Sequence, residues 1–327
     1  MSGYSGRILI TGATGFAGRH LIRQLNAGRG GNRPEIFGTC FPERPEQCAD
    51  LCDAERNVRL VHLDLRDADA SSQAVRTIRP DQVYHLAALS QVRISWERRL
   101  EVFDTNLRGT FNLFEAVRLH SPKARVLFVS SSDVYGFLEP RRRRFRETDR
   151  GTIVSPYAFT KAAGELLVEF FANREKIPVV VARPFPHTGP GQAADFALSD
   201  WARQIALIEK HRGEDVIHAG NLDLRRDYGD VRDVVRAYVL LQRKGRPGEI
   251  YNVCTGRAPS LRNILRTLIG FSRRRIVVAV DPARIRKVDI PCLMGDNRKI
   301  REEMGWEPRI PLERTLRDLL DGWRARV

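Results

Sequence analysis

The stretch RILITGATGFAG, residues 7–18, decides the fold of this chain. A short aliphatic run is followed by three glycines spaced three apart and then by a helical pattern. In such a strand-to-helix turn, Gly12 permits the tight turn, Gly15 lets backbone amides approach a pyrophosphate, and Gly18 lets helix and strand pack closely. The N-terminus of the helix adds positive potential for the phosphates. The stretch therefore predicts the dinucleotide-binding turn of a Rossmann fold.

The rest of the first half alternates apolar strands with amphipathic helices. The predicted strands are RILIT, EIFGTC, VRLVHLDL, DQVYHLAA, ARVLFVSS and VVVARP, with helical patterns such as NLRGTFNLFEAVRL between them. Strands that alternate with helices form parallel sheets whose two faces are both covered. We therefore expect an α/β fold with a doubly wound parallel sheet.

The pattern changes after Pro184, where a loop rich in proline and glycine, PFPHTGPGQ, begins. A helix at 197–211 and a strand-like GEIYNVCTG follow it. We predict a dinucleotide-binding domain over 1–184, joined by a returning strand near 249–255. Residues 185–327 would form a smaller, partly discontinuous lobe over the carboxyl edge of the sheet, where ligands of such sheets bind.

The composition is that of a globular chain, with 42% hydrophobic and 29% charged residues. No run approaches the roughly 18 apolar residues of a membrane helix, and the first strand begins too early for a signal peptide. We expect a cytoplasmic protein with no membrane partner. The net charge of +15 attracts anions. The run Arg141–Arg144 matches no nucleic-acid-binding motif, so we predict a solvated loop and no nucleic-acid partner.

The cysteines do not have the spacing of a metal or redox site. They are scattered, and the pair in CADLC has no second pair to accompany it. We predict reduced thiols and no metal at Cys40, Cys48, Cys52, Cys254 and Cys292.

The choice of cofactor depends on the end of the second strand. An acidic residue there grips the ribose of NAD, but no carboxylate stands near Thr39. The absence favours NADP, with NAD possible, and Thr39 or Arg44 would meet the extra phosphate. Asp64, at the end of the third strand, is either an acceptor for the adenine amino group or a helix N-cap.

Candidate reacting residues follow the fifth strand and begin the next helix. SPYAFTKAAGE places Tyr157 and Lys161 four apart, on one face of a helix. The charge of the lysine would lower the pKa of the tyrosine and make its hydroxyl a proton donor or acceptor near neutral pH. Ser131, at the mouth of the neighbouring strand, would hydrogen-bond the same substrate oxygen.

These motifs together resemble the extended short-chain dehydrogenase/reductase family. The resemblance runs nearly end to end, through TGATGFAG, HLDLRD, HLAA, DTNLRGT, SSSDVYG and YAFTK. It implies a Rossmann fold, catalysis by Ser131, Tyr157 and Lys161, a nicotinamide cofactor, a nucleotide-sugar substrate, and a homodimer built on helices around 100–118 and 156–173. The implied cofactor contacts are Gly12, Thr14, Gly15, Phe16, Ala17, Thr39, Asp64, Leu65, Leu86, Ala87, Ala88, Asn106, Tyr157, Lys161 and Arg183.

The second half resembles GDP-6-deoxy-4-keto-D-mannose reductases and the related GDP-mannose 4,6-dehydratases. The similar stretches are RPFPHTGPGQ, GNLDLRRDYGDVRDVVRAY, YNVCTG and the C-terminal region from residue 285. By this resemblance Arg226 and Arg286 would hold a diphosphate, which suits arginine as an anion binder. Ser132 and His187 complete the predicted substrate site, although packing is the favoured role of His187. Pro186 stands where the family usually has asparagine, so any amide contact to substrate is lost.

Asp133 separates two enzyme classes. The related dehydratases carry glutamate here, to remove a proton beside the keto group, and aspartate is one methylene shorter. The sequence therefore favours a reductase of a GDP-linked 4-keto-6-deoxy sugar over a 4,6-dehydratase. In a reductase, Asp133 would hydrogen-bond a sugar hydroxyl or cap the strand end. A third hypothesis is a non-catalytic protein that senses NADP or binds RNA, against which the intact Ser, Tyr and Lys argue.

Overall fold

The computed structural model describes residues 6–27, 34–41, 57–138, 144–211, 214–285 and 289–327. Its strands are β1 Arg7–Thr11, β2 Glu35–Cys40, β3 Val58–His62, β4 Gln82–His85, β5 Arg125–Val129, β6 Val179–Pro184, β7 His187–Thr188, β8 Val216–Ala219, β9 Arg225–Arg226, β10 Gly229–Asp230, β11 Ile250–Val253, β12 Val277–Val280 and β13 Cys292–Leu293.

Eleven α-helices lie between these strands in the described ranges. They are α1 Phe16–Asn26, α2 Ala68–Ile78, α3 Val92–Glu97, α4 Arg99–Phe103, α5 Gly109–His120, α6 Pro156–Asn173, α7 Ala197–Glu209, α8 Val231–Lys244, α9 Leu261–Ile269, α10 Arg298–Met304 and α11 Leu312–Arg324. A π-helical turn, Asp104–Arg108, joins α4 to α5, and short 3₁₀ turns lie at Ser132–Tyr135 and Pro282–Arg284.

Seven parallel strands form the central sheet, in the order β11-β6-β5-β4-β1-β2-β3. The Rossmann fold predicted from the glycine stretch is confirmed. Strands β1, β2 and β6 have the bounds of their predicted apolar runs, whereas β3, β4 and β5 end two to three residues earlier. The last two or three residues of each of these predicted runs lie in the loops at the carboxyl edge, where the chain leaves the sheet and no longer pairs with a neighbouring strand.

Two core clusters cover the two faces of the sheet. On one face α1 and α8 pack against β1, and on the other face α2, α5 and α6 pack against β4, β5 and β6. Strand β11 returns to the sheet beside β6, from within the second half of the chain. Helices α8 and α10 also belong to the first cluster. The predicted lobe over 185–327 therefore contributes helices to the sheet-covering layers as well as its own elements.

A third cluster forms the core of the smaller lobe. It joins α7, α9 and α11 around β8. The second half of the chain also contains three two-stranded parallel sheets, which pair β7 with β10, β8 with β12 and β9 with β13. None of the helices in the described ranges has the length and apolar character needed to cross a membrane.

Candidate active site

The glycine turn joins β1 to α1 as its spacing predicts. Gly12 has φ +71°, and a Cβ there would lie 2.9 Å from the backbone nitrogen of Ala87. A Cβ on Gly18 would lie 2.3 Å from the carbonyl oxygen of Gly12, so the helix can start here only without a side chain. Gly15 is exposed and precedes α1, and no side chain caps the helix N-terminus.

This turn fits the pyrophosphate of a dinucleotide. A Cβ on Gly15 would meet one atom within 4 Å, the carbonyl oxygen of Gly12 at 3.2 Å, so the outer side of the turn has room for a ligand. The first amides of α1 are then the donors that an anion at a helix N-terminus requires. Of the predicted contacts, Thr14, Phe16 and Ala17 lie half-buried around this opening.

Thr39 supports the turn from below. Its side chain is 3% exposed, its Oγ1 accepts a hydrogen bond from the Gly12 backbone N–H at 3.4 Å, and its carbonyl accepts from Ala13. The strand continues to Cys40, the exposed residue after it is Phe41, and the contact of Thr39 with an adenosine phosphate stays a prediction. Arg44, the other candidate, lies outside the described residues.

Asp64 is held by an ion pair within its own loop. Its carboxylate accepts from Arg66 at 2.6–3.0 Å, and this bond lowers the pKa of Asp64. The N-cap interpretation is wrong, since Asp67 caps α2 by accepting from Ala70. Leu65 is buried and its carbonyl accepts from Asn112, which fixes this loop to α5.

The segment after β4 is fixed beside the glycine turn by backbone bonds. The N–H of Leu86 donates to the Thr11 carbonyl and that of Ala87 to the Thr11 hydroxyl, and Ala88 follows directly. Asn106, in the π-helical turn, accepts from the Leu89 N–H at 2.8 Å. Such turns are frequent at functional sites.

Asn106 also donates to the Thr160 hydroxyl at 3.1 Å, next to Lys161 on α6. Its side chain thus ties the loop after β4 to the helix that carries Tyr157 and Lys161, and its cofactor contact stays a prediction.

Ser131, Tyr157 and Lys161 come together at the carboxyl edge. The side chains of Ser131 and Tyr157 are hydrogen-bonded, and the Lys161 Nζ donates to the Val129 carbonyl at 2.7 Å, at the end of β5. All three residues are less than 10% exposed. Ser155 caps α6 and Pro156 occupies its first turn, so the helix begins just before the tyrosine.

The electrostatics of this cluster differ from the prediction. Burial raises the pKa of Tyr157, the Asp133 carboxylate raises it further, and only the Ser131 hydroxyl lowers it. Burial also lowers the pKa of Lys161 to about 8. The expectation that Lys161 lowers the pKa of Tyr157 near to neutral is wrong for this arrangement, because the ammonium is directed to the Val129 carbonyl. The phenol therefore keeps its proton.

Asp133 lies in the 3₁₀ turn that Ser131 caps. Its N–H donates to the Ser131 hydroxyl at 3.1 Å, and its half-exposed carboxylate lies near enough to Tyr157 to raise the pKa of the phenol. Ser132, predicted to touch substrate, is 2% exposed. The loop therefore presents Asp133 to the site and turns Ser132 inward.

Arg183 belongs to a buried ion pair beneath the catalytic helix. It donates to both oxygens of Glu165 at 2.6–2.7 Å and to the Glu147 carbonyl at 2.9 Å, and it is 1% exposed. Ser130 donates to the same Glu165 at 2.6 Å. The bonds of Arg183 occupy three of the five N–H donors of its guanidinium, and its cofactor contact stays a prediction.

The predicted substrate residues are spread over different environments. The side chain of Arg226 pairs with Asp289 and donates to the Ile290 carbonyl at 2.6 Å, so a diphosphate there would compete with these partners. Arg286 lies outside the described residues. His187 stacks on Phe16 with ring centroids 6.1 Å apart, which agrees with the packing role.

Pro186, the departure from the family pattern, accepts from the Gly229 N–H through its carbonyl. It holds β7 and β10 together at the edge of the site.

Sequence reasoning missed two buried groups of the site. His85, at the end of β4, bonds the hydroxyls of Thr11 at 2.7 Å and Thr110 at 2.9 Å. Burial and the charge of Lys161 lower its pKa to about 3, so it stays neutral. His85 begins the HLAA motif, and its position at the end of a predicted buried strand was the signal that could have identified it. The Glu165 carboxylate, one helical turn after Lys161, carried no signal without its partner from β6.

No cluster of metal-ligating side chains occurs within the described ranges. The cysteines described, Cys40, Cys254 and Cys292, are free thiols; Cys48 and Cys52 lie outside those ranges.

Known proteins are similar to this chain over almost its whole length. GDP-6-deoxy-D-mannose reductase of Pseudomonas aeruginosa is 31% identical over 98% of each chain. GDP-mannose 4,6-dehydratase of Yersinia enterocolitica is 28% identical over 97% of this chain and 93% of its own.

Solved structures of nucleotide-sugar enzymes are also similar to this chain. The structure of RMD from P. aeruginosa complexed with NADPH covers 98% of this chain and all of its own, with a TM-score of 0.85 at 30% identity. UDP-glucose 4-epimerase of Thermus thermophilus in complex with NAD has the same TM-score and coverage at 27% identity. The family model for GDP-mannose 4,6 dehydratase matches residues 9–319, and the chain belongs to this family of nucleotide-sugar enzymes.

Proposed function

We propose that this chain is an NADPH-dependent reductase of a GDP-linked 4-keto-6-deoxyhexose and that its product is GDP-D-rhamnose. The observation that carries the proposal is the position of Tyr157, which is buried at the carboxyl edge of the sheet and hydrogen-bonded to Ser131. Burial and the Asp133 carboxylate both raise the pKa of its phenol. A reductase needs a proton donor at the sugar oxygen, whereas a dehydratase must first take a proton from the hydroxyl it oxidises. A phenol that holds its proton suits the first task.

The residues of the site have separate roles in this reaction. When bound, the nicotinamide cofactor supplies the hydride. Tyr157 donates its proton to the oxygen of the reduced keto group, and the Ser131 hydroxyl hydrogen-bonds that same oxygen. Lys161, one helical turn after Tyr157, donates to the Val129 carbonyl and so fixes the start of the tyrosine helix against β5. The loops after β4 and β5 bury these groups and keep bulk water from the proton.

Asp133 supports the reductase over the dehydratase. A base that removes a carbon-bound proton must come within about 2.6–3.2 Å of its target. Aspartate on this backbone falls roughly one C–C step short of a glutamate, and a misplacement of about 1 Å can cost about 10²-fold. The Asp133 carboxylate also raises the pKa of the Tyr157 phenol, which favours the proton-donating form.

NADP is the cofactor we propose, with NAD possible. The similar structure from P. aeruginosa is complexed with NADPH. Strand β2 of this chain ends at Cys40, and neither Cys40 nor Phe41 after it offers a carboxylate to the ribose. The exposed Gly15 and the open amides of α1 support a pyrophosphate at the turn.

The GDP-mannose 4,6-dehydratase reaction is the second candidate. It is favoured by the carboxylate of Asp133 beside Tyr157, because such a reaction needs a base near the sugar ring. The 28% identity to the Yersinia enzyme also supports it. The non-catalytic hypothesis is weakened by the buried Ser131, Tyr157 and Lys161 cluster, which a simple sensor would not need.

The test supplies GDP-4-keto-6-deoxy-D-mannose, made separately, together with NADPH. We expect NADPH oxidation that depends on the keto sugar and a product with the stereochemistry of GDP-D-rhamnose by NMR. NADPH that stays reduced, with protein shown by titration to bind the cofactor, contradicts the proposal.

We also propose a homodimer and the predicted division of the chain. Large apolar side chains are exposed on the helices that the resemblance assigns to the interface; they are Leu100, Phe103, Phe111, Phe159, Leu166 and Phe170. A contiguous apolar face of this kind marks a protein contact. Residues 185–327 would close over a GDP-linked sugar bound at the carboxyl edge. Cytoplasmic location stays a prediction.

A further inference from the structure

A second cavity lies beyond the edge strand β11 and is lined by none of the catalytic residues. Its volume is about 770 Å³, and its walls come from the loop after β11, from α10 and from the segment that precedes α11. Cavities of 300–1,000 Å³ are the usual size for small-molecule sites. Its charged lining is unusual, because four arginines from four different segments meet there: Arg225, Arg257, Arg301 and Arg309.

These four arginines have no ion-pair partner in the part of the chain that the structure describes. About half of the other arginines in those ranges pair with a carboxylate. Arg226 shows the contrast directly, since it follows Arg225 on β9 and pairs with Asp289. Adjacent residues of a strand point to opposite faces, so Arg225 turns to the cavity and Arg226 away from it. The carboxylate of Glu307 also lines the cavity. Against the four arginines it leaves a formal excess of three positive charges.

The cavity walls are fixed by buried carboxylates below them. Asp227, 0% exposed, accepts from the N–H groups of Thr255 and Gly256 at 2.8 Å and from that of Gly295 at 3.2 Å. Asp233 accepts from the N–H groups of Arg309 and Ile310 at 2.8 Å. The loops that carry the arginines are therefore rigid, and a ligand would not have to order them.

The remaining lining suits a flat apolar group. Tyr228, Met294, Pro308 and Ile310 contribute to the walls and are half-buried. Guanidinium groups bind phosphate oxygens in bidentate pairs, and apolar and aromatic side chains pack against bases. A phosphate chain and a planar base together fit this combination of walls.

We propose that this cavity is a binding site for a nucleoside polyphosphate, separate from the cofactor and sugar sites. The arginines bind the phosphates, and Tyr228 with its apolar neighbours receives the base.

The experiment blocks the cofactor and sugar-nucleotide sites first. The full chain is saturated with NADPH and GDP, and ATP and inorganic tripolyphosphate are then titrated in separate calorimetric experiments. We expect one ATP per chain, bound more tightly than tripolyphosphate because the base adds contacts. Charge-assisted hydrogen bonds of about 1.5–3 kcal/mol each predict at least a ~10-fold weaker affinity in Arg257→Glu/Arg309→Glu.

A matched control separates a built site from the general charge of the protein. Arg174→Glu/Arg273→Glu makes the same change in net charge at exposed arginines outside the cavity. The control should bind ATP like the parent chain. Absence of ATP binding to the parent chain, or equal weakening in both double variants, overturns the site. Equal affinities for ATP and tripolyphosphate overturn the role of the apolar walls.

Discussion

The glycine turn and the catalytic cluster lie at the same edge of the sheet but are built in opposite ways. The turn is made of backbone, and its glycines are required because a Cβ on Gly12 or Gly18 would collide with atoms within 2.3–2.9 Å. The catalytic cluster is made of side chains whose partners come from distant segments: β5 for Lys161, and β6 for Glu165. The turn is therefore defined by local sequence, and the cluster by the fold as a whole.

As a result, the sequence predicts where the catalytic side chains lie but does not predict their pKa values. A spacing in the sequence places Tyr157 and Lys161 on one helix face. The pKa of Tyr157 depends on burial and on Asp133, and that of Lys161 depends on burial and on Glu165, which only the fold determines. Substitutions in the turn should change cofactor affinity, and substitutions in the cluster should change proton transfer or stability.

The largest effect should come from Tyr157→Phe. The substitution removes the proton donor and keeps the ring, so turnover should fall by ~10²-fold or more while binding of cofactor and sugar nucleotide persists. Steady-state kinetics and NADPH titration measure the two quantities. Tyr238→Phe is the control, because the Tyr238 hydroxyl is buried without a hydrogen-bond partner in the described structure. Turnover of Tyr157→Phe within a few-fold of the parent chain would rule out the assigned role.

Arg183→Met should cause the largest loss of stability. It leaves the Glu165 carboxylate buried without its cation, which typically costs about 3–5 kcal/mol. Urea unfolding measures the loss, and Glu165→Leu/Arg183→Met should recover much of it. The half-buried, solvent-accessible pair of Arg118 with Glu115 is the control, and Arg118→Met should cost at most about 1 kcal/mol. If Arg183→Met is as stable as the control, the buried pair does not support the catalytic helix.

Gly15→Val should weaken the cofactor and leave the fold intact. The side chain would stand between the phosphates and the amides of α1, and losing charge-assisted hydrogen bonds there predicts ~10-fold weaker NADPH binding or more. Fluorescence titration gives the affinity. Gly270→Val is the control, since it changes a glycine at the end of α9, where a Cβ has contacts no closer than 3.4 Å. Unchanged affinity in Gly15→Val would place the phosphates elsewhere.

The smallest effect concerns pH and Lys161. Its pKa is about 8 in the folded chain and 10.5 as an ordinary lysine, so between these values the unfolded chain binds more protons. The free energy of unfolding therefore gains from this group as pH rises from about 8 to 10. Urea unfolding at both pH values should show a more positive change for the parent chain than for Lys161→Met. Equal changes in the free energy of unfolding for the two chains would mean that burial does not lower the pKa of Lys161.

The sequence predicts most of the fold and less of the site. The bounds of β1, β2 and β6, the glycine turn and the Tyr157–Lys161 helix were readable because their periods and spacings are local. The contacts of Thr39, Asp64 and Arg183 within the fold were not readable, because the sequence does not identify their partners: the Gly12 N–H, Arg66 and Glu165. The same holds for the four arginines of the second cavity, which come from segments up to 84 positions apart in the chain.

The central claim is that Tyr157 gives a proton to a keto sugar and that Asp133 removes none from carbon. The direct measurement feeds GDP-mannose to the chain, with NADPH and NADP, in the presence and absence of a separate 4,6-dehydratase, and follows NADPH and products for the parent chain and Asp133→Asn. We predict NADPH oxidation only in the coupled mixture, with Asp133→Asn within about tenfold of the parent chain. A keto sugar formed from GDP-mannose by the chain alone, and abolished in Asp133→Asn, would contradict the account.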